Sequence, residues 1–249
     1  MSNKVQPPGK HVDQLGFRPK RFWTTADVTK GDDGFAVVLD GRPVKTPQVR
    51  WLALPTAGLA EAVAAEWRAV GDHVDYESMP LTRLGFAAVD RMGELVDETV
   101  VEALRYAETD LVCYPADYPE ALIERERAAW LPVLGWARGD LGLSFEQNLT
   151  LVHRPQPAET LAGLEGLVRG MTAYERAGLM SGVALFGSVV LALALWRGHL
   201  TGVEAFAASK IGEDFQAETW GKDAEAAQRR GIMQGQAVSL QTWFEGLKG

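Results

Sequence analysis

The sequence predicts an α+β protein, in which a small N-terminal α/β domain with an extended β-hairpin precedes a C-terminal domain made only of helices. Alternating apolar residues between Phe35 and Leu39 lead into Asp40-Gly41, a pair that supplies the positive φ angles of a tight hairpin turn. Beyond about residue 119 the apolar positions recur at helical spacing. The predicted division is a flexible arm over 1–20, an α/β domain over 21–112 and a helical domain over 113–249.

Composition excludes several classes of partner. The 249 residues, 47% of them hydrophobic, are enough to bury a substantial core without disulfides or metals. A formal net charge of -8 repels phosphate backbones and anionic lipid head groups, so nucleic acid is not expected as a partner. The single cysteine, Cys113, cannot form an intramolecular disulfide and is expected to be a buried, inert thiol.

Turn and capping residues place the elements. Arg42 to Thr46 is predicted to return antiparallel at a sheet edge, because Pro43 lacks an amide donor. Thr56 precedes an apolar helical face and is predicted to cap that helix. The other predicted elements are a strand at 51–54, helices at 80–89, 94–109, 119–141, 160–169, 172–197, 201–220 and 223–247, and a short extended pair at 143–145 and 149–152.

The uncharged run from Leu179 to Trp196 has two interpretations. Its length is close to the minimum for a membrane span, and an all-apolar helix is also typical of the centre of a helical bundle. Small or polar residues such as Ser181 and Gly187 interrupt it, and arginines flank it on both sides rather than one. These features favour a buried helix.

The lack of recognisable catalytic motifs in the sequence predicts a protein that is not an enzyme. No glycine-rich loop has the spacing that binds a nucleotide, and no serine occupies a nucleophile elbow. The four histidines have no companion at metal-ligand spacing on a shared helix face. The sequence therefore predicts neither a cofactor nor a metal site.

Acidic residues cluster late in the chain, at Glu213, Asp214, Asp223 and Glu225, around Trp220. Such a cluster can be a solvated helix face, a general acid and base pair of a small-molecule enzyme that would use Glu213 and Asp223, or a docking surface with an aromatic anchor. Trp220 lies within this cluster, at the end of a predicted helix, and is expected to be partly exposed.

Eight short strings of the chain occur in a telling order. They are RFW at 21–23, LDGRPVKTP at 39–47, AEW at 65–67, MPLTRL at 79–84, TDLVCY at 109–114, GS at 187–188, EDFQ at 213–216 and WGKDAEA at 220–226. In this order they resemble the chaperone family that assembles the α subunit of the ATP synthase catalytic head. The resemblance extends from about residue 21 to residue 230.

The resemblance implies transient binding to the free α subunit, which would otherwise aggregate before it pairs with the β subunit. It implies no cofactor, no ATP hydrolysis and no membrane insertion, so the apolar run becomes an interior helix. It also implies a bacterial member in the cytoplasm, since no organelle presequence is evident. The free protein is expected to be monomeric. A membrane-anchored assembly factor and a small-molecule enzyme remain the alternatives.

The resemblance also implies that one acidic residue of the late helical region matters for function. Glu213 is the best match, with Asp223 and Glu225 as rivals. The expected contact surface combines these residues with others from the late cluster and the hairpin. It consists of Glu213, Asp214, Trp220, Asp223, Glu225, Arg42 and Lys45. The stretch 85–87, GFA, departs from the family, where a more polar stretch containing Asn is expected.

Overall fold

The computed structural model describes residues 19–150, 152–220 and 224–248, without the side chains of residues 219, 220 and 224. Its N-terminal part contains a small antiparallel sheet with β2 at the centre, paired with each of the other strands. The strands are β1 (Ala26–Gly31), β2 (Gly34–Leu39), β3 (Arg42–Pro43) and β4 (Ala53–Leu54).

The predicted hairpin turn is confirmed, because Asp40 and Gly41 have φ angles of 46° and 78°. Strand β1 was not predicted. Most of its residues are exposed, so it lacks the apolar alternation that marks a half-buried strand. The strands therefore form two consecutive hairpins, β1–β2 and β2–β3, of which β1–β2 is the longer.

Ten helices complete the described part of the chain, and together with the sheet they confirm the α+β class. They are α1 (Ala57–Ala69), α2 (Pro80–Ala87), α3 (Val96–Glu108), α4 (Glu120–Leu141), α5 (Ala158–Gly170), α6 (Ala173–Phe186), α7 (Val189–Arg197), α8 (Gly202–Ser209), α9 (Ile211–Trp220) and α10 (Ala224–Leu247). A π-helical turn, Ala88–Met92, follows α2. The predicted cap on α1 is confirmed, since the Thr56 hydroxyl accepts the Leu59 amide at 3.1 Å.

The expectation of one helix over 172–197 is wrong, because the apolar run is divided into α6 and α7. Gly187 ends α6 with a φ of +66°, a left-handed conformation that glycine adopts without steric cost. Ser188 then caps α7 by accepting the Leu191 amide at 3.0 Å. No helix among the described residues is both long and apolar enough to cross a bilayer.

The buried carboxylate of Asp110 stabilises the break between α6 and α7. One oxygen accepts the Val112 amide and the other accepts the Val190 amide, each at 3.1 Å. The Leu111 amide donates to the Gly187 carbonyl at 3.1 Å. Burial raises the pKa of Asp110 to about 6, although these hydrogen bonds oppose the shift. Asp110 thus ties the short turn after α3 to the first turn of α7.

Two further expectations are corrected. The predicted helix over 201–220 is two helices, α8 and α9, which meet at Lys210. The extended pair at 143–145 and 149–152 does not form strands where the chain is described. Leu143 and Phe145 are buried, whereas Leu149 and Val152 are exposed and so offer no apolar face for pairing.

The buried apolar residues from Trp23 to Phe244 form one cluster that joins the sheet to the helices. Helix α10 packs against α1 and α2 as well as α6 and α8. The Thr56 hydroxyl, besides capping α1, donates to the Gly246 carbonyl near the end of α10. The predicted domain boundary between residues 112 and 113 remains a prediction, and the hydrogen bond between Thr56 and Gly246 crosses it.

Candidate partner-binding surface

Helix α9 and the first half of α10, where the structure describes them, contribute no fully buried side chain to the core, although Ile211 and Met233 pack against its edge. None of the side chains described over residues 211–218 and 225–236 is buried, and Ala237 is the first described residue of α10 that is. Helix α9 packs mainly on α4. Elements with so little buried apolar area are held weakly and can adjust to a partner. We call this unit the α9–α10 surface.

The acidic residues of the α9–α10 surface are paired with basic residues. Asp214 and Arg230 form a two-point ion pair, with N–O distances of 2.6 and 2.7 Å, that links α9 to α10. The other pairs are Lys210 with Glu213 at 2.7 Å, Arg125 with Glu218 at 2.8 Å and Arg229 with Glu225 at 3.9 Å. The described part of the predicted acidic cluster is therefore a surface of alternating charge. Some of its basic partners are near in sequence and others are distant.

Arginines also cover the aromatic rings of this region. The Arg125 guanidinium carbon lies 5.2 Å from the centre of the Phe215 ring, and that of Arg230 lies 5.3 Å from the Phe206 ring. Phe206 is buried, and Phe215 is half-buried. The side chain of Trp220 and the whole of Asp223 fall outside the described residues, so their predicted roles stay predictions.

The two hairpin residues of the expected contact surface lie on a different part of the fold. Arg42 is exposed in β3 and Lys45 is exposed just after it, and the Lys45 ammonium lies 5.6 Å from the centre of the Trp51 ring. Trp51 is 56% exposed and Val49 is 67% exposed. The structure thus joins Glu213 with Asp214 on α9, and it places Lys45 beside the exposed Trp51, which the sequence did not single out.

Val49 has a φ of 64°, a left-handed conformation that is costly for a β-branched residue. The surrounding loop is held by the buried carboxylate of Asp90, which accepts the Thr46 hydroxyl at 2.5 Å and the Gln48 amide at 3.1 Å. Arg50 adds an ion pair with Glu94 at 2.6 Å. These fixed contacts hold Val49 in its strained conformation.

Replacing Val49 by glycine should raise the free energy of unfolding by about 1 kcal/mol, since glycine adopts this φ freely and the exposed valine loses little packing. The midpoint of urea unfolding should rise with an unchanged slope. Val49→Ala is the control, because it keeps the Cβ and should change stability by less than about half as much. A lower midpoint for Val49→Gly would mean that the valine side chain contributes more than its conformation costs.

Similarity to known proteins decides the family. Residues 20–138 match the family model of the ATP12 chaperone protein. The crystal structure of Atp12 from Paracoccus denitrificans is 34% identical and superposes with a TM-score of 0.85, over 92% of this chain and 98% of that one. The chain belongs to the ATP12 chaperone family.

Two further proteins are similar to this chain over most of its length. The crystal structure of the Atu1473 protein from Agrobacterium tumefaciens superposes with a TM-score of 0.86 at 36% identity, over 92% of this chain and 86% of that one. The mitochondrial protein atp12 of Schizosaccharomyces pombe is 24% identical over 238 residues, which is 90% of this chain and 80% of that protein. The predicted family and the predicted class, an ATP synthase assembly chaperone, are confirmed.

In this ATP12 chaperone the carboxylates with perturbed pKa values serve the fold. Burial raises the pKa of Glu66, which accepts the Leu81 and Thr82 amides at the start of α2, both at 2.8 Å. Burial likewise raises the pKa of Glu126, which accepts the Ala116 amide at 2.6 Å. Across residues 19–150, 152–220 and 224–248, no three of His, Cys, Asp and Glu converge as metal ligands.

Proposed function

We propose that this chaperone binds the free α subunit of the F-type ATP synthase catalytic head and prevents its aggregation until the β subunit replaces it. In this proposal it catalyses no reaction, needs no cofactor, and acts in the bacterial cytoplasm as a monomer that meets its client. A free α subunit exposes apolar surface that the β subunit later covers, and such patches drive association.

The observation that carries the proposal is the α9–α10 surface, where no described side chain of α9 or of the first half of α10 is buried and the Asp214–Arg230 ion pair links the two helices. A partner can add the burial that this surface lacks. Its alternating charges make the interface partly polar, which suits a complex that must dissociate. The resemblance to the family assigns the acidic residue that matters to the same surface, at Glu213.

The loop beside the hairpin supports a second contact. Trp51 and Val49 are exposed next to Lys45, and a strained residue held by fixed contacts commonly marks a functional position. Tryptophan with a neighbouring cation is a composition that interfaces favour. The proposed contact therefore has two parts, the α9–α10 surface and the loop at residues 45–51.

Glu213→Lys tests the first part. It places a lysine three positions after Lys210, a like-charge contact that costs less than about 0.5 kcal/mol, so the protein should still fold. Co-expressed α subunit should fall at least about fivefold in the soluble fraction, and the purified chaperone should bind it at least about tenfold more weakly. Far-UV circular dichroism checks the fold.

Glu102→Lys is the matched control, because the Glu102 side chain is 42% exposed and also forms an ion pair with a residue three positions away, Arg105 on α3, at 2.5 Å. It should leave α subunit solubility unchanged. If Glu213→Lys protects the α subunit as well as the unsubstituted chain does, Glu213 is not in the contact. If the unsubstituted chain itself fails to raise the amount of soluble α subunit, the proposed function is wrong.

A further inference from the structure

A groove of about 490 Å³ lies between α2, the π-helical turn after it, α6 and α10, and its lining includes Met233 and Gln236 from the first half of α10, so it adjoins the α9–α10 surface. Thioether and aliphatic side chains form most of its lining, chiefly Met92, Met180, Met233, Leu84, Leu185 and Leu240. We call it the methionine groove. Methionine side chains are unbranched and polarisable, so they adapt to apolar partners of different shapes.

Helix α6 forms the floor of the methionine groove with small side chains. Ala177, Ser181 and Ala184 all line it and are spaced by four and three residues, so they share one helix face. Small residues in this arrangement let another helix approach closely. Ser181 and Ala184 are exposed, although the sequence placed them in a run expected to be interior.

One charged residue lines the methionine groove. Arg83 on α2 is exposed, and among the described residues its guanidinium has no ion-pair partner. An unpaired cation beside an apolar lining favours an occupant that is apolar but carries an acidic side chain. The chain's own N-terminal residues fit poorly, because residues 1–18 contain Lys4, Lys10 and Arg18 against one acid, Asp13.

We propose that the methionine groove binds an amphipathic helix of the client, with its apolar face on α6 and an acidic side chain paired with Arg83. This rests on the proposed function and adds a third client contact to it. The groove volume is within the range of ligand sites and holds a few side chains, as expected where a helix inserts its apolar anchors between other helices.

The single cysteine of the chain makes a direct test possible. Cys113 is fully buried, and burial raises the pKa of its thiol, so it should not react with a maleimide dye in the folded protein. A dye that responds to polarity, attached to Ser181→Cys, should shift its emission to the blue when purified α subunit is added. The same dye on Ala162→Cys, an exposed position of α5, should not respond.

Two substitutions test shape and charge. Ala184→Phe fills the floor of the groove, and Arg83→Glu reverses its charge, so each should weaken α subunit binding by about tenfold or more. The matched controls are Ala162→Phe and Arg138→Glu, since both positions are exposed and lie outside the groove lining. Both controls should bind the α subunit normally.

The results separate the two proposals. If the α subunit binds but the Ser181 dye does not respond and Ala184→Phe binds normally, the groove proposal is overturned and the proposed function stands. If the α subunit does not bind at all, both fall. A blue shift in the free protein that persists on dilution would mean that the chain fills its own groove, and one that disappears on dilution would mean a second copy does. Either would overturn the proposal.

Discussion

Replacing Asp110 by alanine should lower the free energy of unfolding by about 2 to 4 kcal/mol at pH 7. The substitution leaves the amides of Val112 and Val190 buried without acceptors, and each unpaired group costs about 1 to 3 kcal/mol. Removing a buried charge recovers part of this loss, which sets the lower end of the range. Urea unfolding at fixed pH, followed by tryptophan fluorescence, measures the change.

Asp110→Asn separates charge from hydrogen bonding. Burial raises the pKa of Asp110 from 3.8 to about 6, so the folded state holds the proton more tightly than the unfolded state. The resulting stabilisation is complete below about pH 4 and is lost as the pH rises through about 6, a change of about 3 kcal/mol. Asp110→Asn should lack this pH dependence. An unchanged pH profile in that variant would contradict the assigned cause.

Gly202→Ala should lower the free energy of unfolding by about 2 to 4 kcal/mol, although alanine normally favours a helix. A Cβ at residue 202 would lie 2.2 Å from the Ala237 carbonyl oxygen and 3.0 Å from the Val238 amide nitrogen. These are backbone atoms of α10, so no side-chain rotation relieves the overlap. The two helices would have to separate, and the hydrogen bond from the Gly202 amide to Gln241 would be strained.

Gly231→Ala is the control for Gly202→Ala. A Cβ at Gly231 meets no atom within 4 Å, so alanine there should stabilise α10 by about 0.5 to 1 kcal/mol. Thermal unfolding of both variants gives the comparison, with opposite shifts of the midpoint expected. Equal shifts would show that helix propensity, rather than the close approach of α8 to α10, decides the effect at residue 202.

Local signals predicted much of the fold. The Asp40-Gly41 turn, the Thr56 cap and the apolar face of α1 all depend on residues close together in the chain, and each is confirmed. Strand β1 was missed because its exposed residues carry no apolar alternation. The break at Gly187 was missed because the apolar residues continue across it, and one of the acceptors that stabilise the new helix start is Asp110, 80 positions from Val190.

The candidate sites were predicted less completely. The acids of α9 were identified, but their charge balance depends on Arg125 and Arg230, which folding brings from other helices. The exposure of Trp51 was not predicted, since a single sequence does not show which tryptophan lacks a covering element. The methionine groove has no sequence signal, because segments that are separated in the chain form it and none of them carries a distinctive pattern of its own.

The bond between Thr56 and Gly246 also bears on how the protein is made, since its two residues are 190 positions apart. At a synthesis rate of about 5 to 20 residues per second, the end of α10 leaves the ribosome roughly 10 to 40 s after the start of α1. Leu59 lies so close to Gly246 that a Cβ there would be 3.1 Å from its Cδ1, so during translation Leu59 stays partly uncovered until α10 is made. This ATP synthase assembly chaperone thus passes through a period in which its own apolar surface is uncovered.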